Sequence, residues 1–345
     1  MTHNPRTSPR PLSELSDAAR QRVLSSRALR EHGVSAAEAN ARCRPGGPWQ
    51  MLLPGVYLLH PGPPTSEERL RAVLLYAGRQ LIPEQAGPGG RLPGPAPRRE
   101  AMITGRAALN LHGFASVPPL RSLDEIDVLV PRTRRLRSVG CARVVRGHVL
   151  PSPQEVTGLP VAPVERALAD AAGECSDPVT VRRMLTEAVR GGHCEAHAIV
   201  RELNQARLLT VPHVVDAVEG LIAESRALAE GALYEMVLRY GLPDPCWNVD
   251  LRLPGGPPLG GVDAYWPDHA VALELDTRTS PGPGDERWSE YTRKREALEG
   301  LGLTVVHLTP RKLRESAEQQ AAVVRTALMA AQDREPAEYV VVLPR

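Results

Sequence analysis

Between Pro83 and Pro97, nine of fifteen residues are Gly or Pro. Proline removes a backbone donor and glycine carries the largest conformational entropy, so such a run cannot form a packed helix or strand. The chain must therefore build its core from what lies on either side, with residues 81–100 as a linker or insertion. Its 345 residues leave room for two or three domains. With 42% hydrophobic and 24% charged residues, each has the material for an ordinary globular core.

Ahead of the linker, after a tail over 1–11, Leu12–Arg30 has helical composition and Gly33 ends it. Ser35 and Glu38 have capping-box spacing and open a short second helix. Two β-like pieces follow at Met51–Leu53 and Gly55–Leu59, then an amphipathic helix over Glu67–Ala77. Helix, turn, capped helix and hairpin is the order of a winged helix-turn-helix, placed here over residues 12–80. Beyond the linker, helices at Thr104–Leu111 and Pro163–Ala172 flank strands at Ile126–Val130 and Ala142–Leu150. The pattern is then helical from Val179 to about Tyr240, and 101–228 forms a mixed helical and β middle domain. The last hundred residues read αβββαβα over 229–335, with strands Trp247–Leu253, Val262–Tyr265, Ala270–Leu275 and Thr304–Leu308. A polar helix near 285–301 and a closing helix Arg311–Ala331 complete that domain, and 336–345 reads as a tail. The fold class is α/β.

A net charge of +2 conceals an asymmetry: residues 1–150 hold 22 Arg against 11 acidic residues, a net of +11, and the remainder carries −9. A basic front half is the footprint of a module that meets phosphate. Its weight is tempered because 40 of 42 basic residues are Arg throughout the chain, a compositional bias. Aromatics at 3% argue against stacking platforms for single-stranded bases. Five scattered cysteines without a CxxC pair imply neither a zinc site nor a disulfide framework, and point to a reducing compartment. No segment is apolar for the roughly 18 residues a membrane helix needs, so the expectation is a cytoplasmic protein with no membrane partner.

In the second helix of such a motif, Ser35 is the cap. Ala36, Ala37, Asn40 and Arg44 would face base edges, where Asn pairs with adenine and Arg with guanine. Arg27, Arg30 and Arg42 are placed for phosphates. The segments SRALREHGVSAAEANARC, PGVYLLHPG and MITGRAALNLHGF resemble the AbiEi-type antitoxin regulators of type IV toxin–antitoxin systems. The likeness continues through DVLVPR and GLPVAPVERALADAA. It implies a winged helix that binds double-stranded promoter DNA, an antitoxin-like middle domain, and a nucleotidyltransferase-like toxin as partner.

The rear half carries carboxylates at a spacing with its own chemical sense. Strand residues two apart share a face, so Glu274 and Asp276 point one way. Asp263, on the neighbouring strand, can reach the same spot. Mg²⁺ takes hard oxygen ligands, commonly one or two carboxylates with water and phosphate completing the octahedron. The pieces ALYEMVLRYGLPDP, GVDAYWPDHAVALELD and YTRKREALEGLGLTVVHLTP resemble Vsr-like members of the PD-(D/E)xK nuclease superfamily. That resemblance makes Asp263 and Glu274 the metal ligands and Glu235 the helix acid. Asp276 stands where the family usually has Lys, which leaves Arg293, Lys294 or Arg295 to supply the positive charge. Lys294 completes the candidate catalytic set of Glu235, Asp263, Glu274 and Asp276.

Three functions follow as expectations: a DNA-binding transcriptional regulator with a nuclease-like rear domain, a Mg²⁺-dependent endonuclease targeted by its winged helix, and a toxin-neutralising interaction protein.

Overall fold

The computed structural model describes residues 22–78, 101–276, 286–332 and 340–345, with the backbone alone for 286–291 and 332. The expected tail over 1–11 and the whole Gly/Pro linker over 81–100 lie outside these residues. The fold is mixed α/β and divides into two compact units. One holds the described residues up to Ala188 with Glu202–Ala217; the other holds Val189–Arg201 with Val218–Arg345.

The first unit begins with β1 (Val23–Ser25), α1 (Ser26–Glu31), α2 (Ala36–Arg42), β2 (Gln50–Leu53), β3 (Val56–Leu58) and α3 (Ser66–Ala77). Three serine or threonine side chains start the helices. Ser25 and Ser35 each accept a backbone N–H at 3.2 Å, from Ala28 and Glu38, and Thr65 forms a complete capping box with Glu68. Among the described residues, the expected helix over Leu12–Arg30 is a helix from Ser26. Residues 12–21 lie outside the described part, and Val23–Ser25 is a strand. Val23 and Leu24 are buried against Leu58 and Tyr57 in an antiparallel pair, and that burial outweighs their helix-compatible neighbours. The strands stand in the order β1-β3-β2 over a core of Leu24, Leu29, Val34, Ala39, Trp49 and Tyr57.

The same unit continues through β4 (Met102–Ile103), α4 (Gly105–Leu111), β5 (Ile126–Pro131), β6 (Ala142–Gly147), β7 (Gln154–Val156), β8 (Leu159–Val161), α5 (Val164–Gly173) and α6 (Pro178–Arg190), the last two residues of which fall in the other unit. The strands form a second sheet, ordered β6-β5-β4-β8-β7. The front segment is hydrogen-bonded to this second part of the unit. Arg69 of α3 donates to the carbonyls of Leu123 and Asp124 at 2.5 and 2.7 Å, and the Tyr76 hydroxyl donates to Arg137 O at 2.8 Å. These bonds tie the expected winged-helix and middle domains together.

A charged network lies between β5, β6 and α5. Arg143 grips both oxygens of buried Asp127 and also reaches Glu174. Thr104 donates to Asp170 at 2.6 Å rather than capping α4, and Asp170 pairs with Arg166 at 2.9 Å. Burial pushes the Asp127 carboxyl up, with Arg143 opposing.

In chain order, α7 (Ala196–Gln205) and α8 (Pro212–Arg239) follow, and α8 belongs to the second unit from Val218 onward. Then come β9 (Cys246–Arg252), β10 (Pro258–Trp266), β11 (Val271–Leu275), α9 (Glu286–Gly300), β12 (Thr304–Leu308), α10 (Pro310–Gln332) and β13 (Val341–Pro344). The sheet order is β12-β11-β10-β9-β13. β11 and β12 are parallel; the other pairs are antiparallel. The segment expected as a tail thus supplies an edge strand. One core gathers Leu233, Met236 and Val237 of α8 and Leu313, Val324 and Leu328 of α10 onto Trp266 and Leu273. Another gathers Leu298 of α9 onto Val249, Val262 and Ala272. Trp266, fully buried, satisfies its indole by donating to Pro243 O at 2.7 Å. Among the described residues no helix is long and apolar enough to cross a membrane.

Gly105 carries a test of the front network. Its φ is +60°, and a Cβ there would collide with the Asp127 carboxylate that Arg143 holds in place. We expect Gly105→Ala to cost about 2–4 kcal/mol in denaturant unfolding of the full chain. An unchanged midpoint would mean that the network yields freely.

Candidate active site

Period-two alternation would put Val262 and Ala264 on one face of β10. They lie in different cores, Val262 with α9 and Ala264 with α8 and α10. The face changes at Asp263, across from the pairs Val262–Val249 and Ala264–Trp247, between which Asn248 has a φ of +49°. This local twist leaves Asp263 in a cleft of about 400 Å³, lined also by Arg226, Gly260, Gly261, Glu274, Leu275, Lys294 and Arg345.

Asp263 is held at both oxygens. Oδ2 accepts the Leu275 N–H at 2.7 Å and Oδ1 accepts from Arg226 at 3.3 Å. Burial pushes its carboxyl above the ordinary range, and the Leu275 N–H and the Arg226 charge pull it back. Glu274 sits in β11, where every residue is buried, with 5% of its surface exposed. Its Oε1 is ion-paired to Lys294 Nζ without an aligned hydrogen bond, and Oε2 lies 3.8 Å from His307 Nδ1. His307 is the partner of Glu274 in the parallel β11–β12 register. Burial lowers the His307 pKa, although Glu274 works against it. Lys294 also donates to Gly261 O at 2.6 Å. The approach depends on Gly260, whose φ is +114° and where a Cβ would come within 2.9 Å of the Lys294 stem.

Of the residues expected from the sequence, Asp263, Glu274 and Lys294 meet in this cleft. Asp276 follows the end of β11, its N–H donating to Leu308 O at 2.8 Å, and it does not line the cleft. Glu235 is exposed and does not line it either. At 3.6 residues per turn it points about 180° around α8 from Arg226. The helix groups beside Asp263 are instead Arg226 and Glu230, an i,i+4 pair at 2.7 Å. Sequence reasoning missed Arg226, Arg345 and His307. The Gly260-Gly261 pair just ahead of Asp263 was the one local signal of a close approach.

The donor set suits a hard cation held partly by solvent. Asp263 Oδ1 and Glu274 Oε2 are the less engaged oxygens, and Mg²⁺ requires only one or two carboxylates from a protein. Among the described residues no three His, Cys, Asp or Glu side chains are grouped to hold a metal on their own, as zinc would require.

The expected DNA contacts are distributed over the first unit. Ser35, Ala36, Ala37, Asn40 and Arg44 are exposed, while Asn40 Oδ1 accepts from the Tyr57 hydroxyl at 3.1 Å. Arg42 is bonded to Glu38 at 2.5 Å and lies over the Trp49 ring at 4.5 Å. Arg27 pairs with Glu31 at 3.0 Å, and Arg30 donates to Ser26 O at 3.2 Å.

Comparison with protein-family models gives no match, and comparison with curated proteins gives none either.

Because the Asp263 pKa is raised in the folded state, its stabilising contribution is present at low pH and lost as pH rises through that value. Asp263→Asn, which keeps an acceptor for the Leu275 N–H, should therefore raise the Tm at pH 7. The gain should shrink as pH falls to about 4, the ordinary carboxylate range. A loss of Tm at pH 7 would show that the Arg226 attraction outweighs burial.

Proposed function

We propose that this chain is a double-stranded-DNA-binding protein whose rear unit hydrolyses phosphodiester bonds with Mg²⁺. The observation that carries the reading is the meeting of Asp263, Glu274 and Lys294, from β10, β11 and α9, in one cleft. Two carboxylates can hold a hard cation beside a scissile phosphate, and an ammonium next to them can meet the negative charge that develops on oxygen. Mg²⁺ on Asp263 and Glu274 would supply a bound water of lowered pKa and positive charge for the crowded phosphorus.

The chain's own residues do the rest. Lys294 is fixed between Glu274 and Gly261 O, so its charge meets developing negative charge on oxygen without reorganising first. Arg226 steadies Asp263 and adds a second cation on the helix side. Leu275 N–H fixes the other Asp263 oxygen, which orients the carboxylate.

The front of the chain supports targeting to DNA. Two short helices lead into a hairpin, and β1 pairs with β3 in the order β1-β3-β2, an arrangement compatible with a winged helix. Ser35 caps α2, and Ala36, Ala37 and Asn40 on α2 are exposed with Arg44 just beyond it. Small side chains permit close approach to a groove, and Asn40 and Arg44 carry hydrogen-bonding ends that read bases.

A second reading, a DNA-binding regulator of the AbiEi type whose rear unit does not cut, draws on a different observation. Asp263 is already paired with Arg226, and Glu274 with Lys294, so the cleft is charge-satisfied by its own side chains.

Incubation of the full chain with supercoiled plasmid and Mg²⁺ or Mn²⁺, against EDTA, separates the two. We expect nicked or linear product only with metal, and a loss of about 100-fold or more for Glu274→Gln and for Lys294→Ala. Retarded but uncut plasmid under every condition would favour the regulator.

A further inference from the structure

Three cations line the rear cleft, and two of them are committed. Arg226 is bonded to Glu230 at 2.7 Å and to Asp263 at 3.3 Å, while Lys294 serves Glu274 and Gly261 O. Arg345 differs. Among the described residues its guanidinium has one partner, Asp250 at 3.9 Å, and both side chains are about half exposed, at 50% and 46%. Such a contact contributes little and leaves most of the five guanidinium donors unused.

The backbone that carries Arg345 is nonetheless fixed. β13 pairs with β9 through Leu343–Asp250 and Pro344–Val249, and the Arg345 N–H donates to Asn248 O at 3.2 Å. Gly261 gives the second indication. Its φ lies outside the left-handed region, so the backbone does not demand glycine there. A Cβ there would come within 2.6 Å of Arg345 Nη1 and 2.7 Å of Asp250 Oδ1, the ends of two half-exposed side chains that would have to move aside. The floor of the cleft is thus bare at the place where this guanidinium lies.

We propose that Arg345 is a phosphate-anchoring residue of the cleft, delivered by β13, which binds a nonbridging phosphate oxygen of a phosphodiester chain beside the Asp263–Glu274–Lys294 group. The assignment rests on the phosphodiester reading of that group. A planar fork of N–H donors matches two phosphate oxygens, and a guanidinium with no strong internal partner loses little when it turns to one. Arg345 acts in binding; it is not assigned a part in proton transfer.

The test uses the full chain and a thymidine dinucleotide with one phosphodiester, too short to engage a helix-turn-helix, titrated calorimetrically. Arg345→Ala should weaken its binding about fivefold to tenfold with an unchanged Tm, and Arg345→Lys should restore part of the loss. Gly261→Ala should weaken it in the same direction, because the methyl group displaces the guanidinium. Wild-type affinity in Arg345→Ala overturns the anchor and leaves the phosphodiester reading standing. A wild type that cuts plasmid but does not bind the dinucleotide also overturns the anchor, which must hold phosphate unaided. A wild type that neither binds the dinucleotide nor cuts plasmid overturns the reading of the cleft, and the anchor with it.

Discussion

Glu274 stands in a strand whose five residues are all buried, and a carboxylate there is costly unless a cation meets it. The cation is Lys294, from α9 on the far side of a nine-residue span outside the described part. That pairing commits much of the second unit. Lys294 can reach Glu274 only across Gly260, and it reaches Gly261 O in the same stroke. The glycine pair in turn precedes the point where β10 changes face and presents Asp263. A hydrophobic residue of similar size at position 274 would pack as well or better. A buried ion pair at that position is weak evidence of a contribution to stability.

The first unit contains a network with the same grammar, built on Asp127, Asp170, Arg143 and Arg166. Asp127 is as buried as Glu274, and Arg143 satisfies it with two parallel contacts, while Asp170 is shared by Thr104 and Arg166. Here the acids are gripped at both oxygens and Gly105 is packed directly against one of them. The contrast is what favours the rear group in the proposed reading. Asp263 Oδ1 is held only at 3.3 Å, and Glu274 Oε2 faces a histidine at 3.8 Å.

The rear fold was largely legible in the sequence, since strands of five or more residues with apolar runs and long polar helices carry clear periodicity. β9, β11, β12, α9 and α10 fall within one or two residues of where the pattern places them. β1, β4, β7, β8 and β13 went unread. Each has two to four residues, less than a pattern needs, and all but β7, which pairs with the adjacent β8, are defined by a distant partner. In the site, Asp263, Glu274 and Lys294 could be singled out by residue type and spacing. Arg226 could not, because its place beside Asp263 depends on how α8 is rotated over the sheet. The same rotation turns Glu235 outward, and no local signal in the sequence encodes it. Arg345 was hidden within a segment that reads as a tail until its pairing with β9 is known.

The central claim is that the less engaged oxygens of Asp263 and Glu274 hold a divalent cation in place of part of the internal ion pairing. Titration of the full chain with Mn²⁺, followed by loss of the free-ion electron paramagnetic resonance signal, tests it most directly. The account predicts saturable uptake in the wild type that is abolished by Glu274→Gln and by Asp263→Asn. Uptake that is absent in the wild type, or unchanged in both variants, would contradict it.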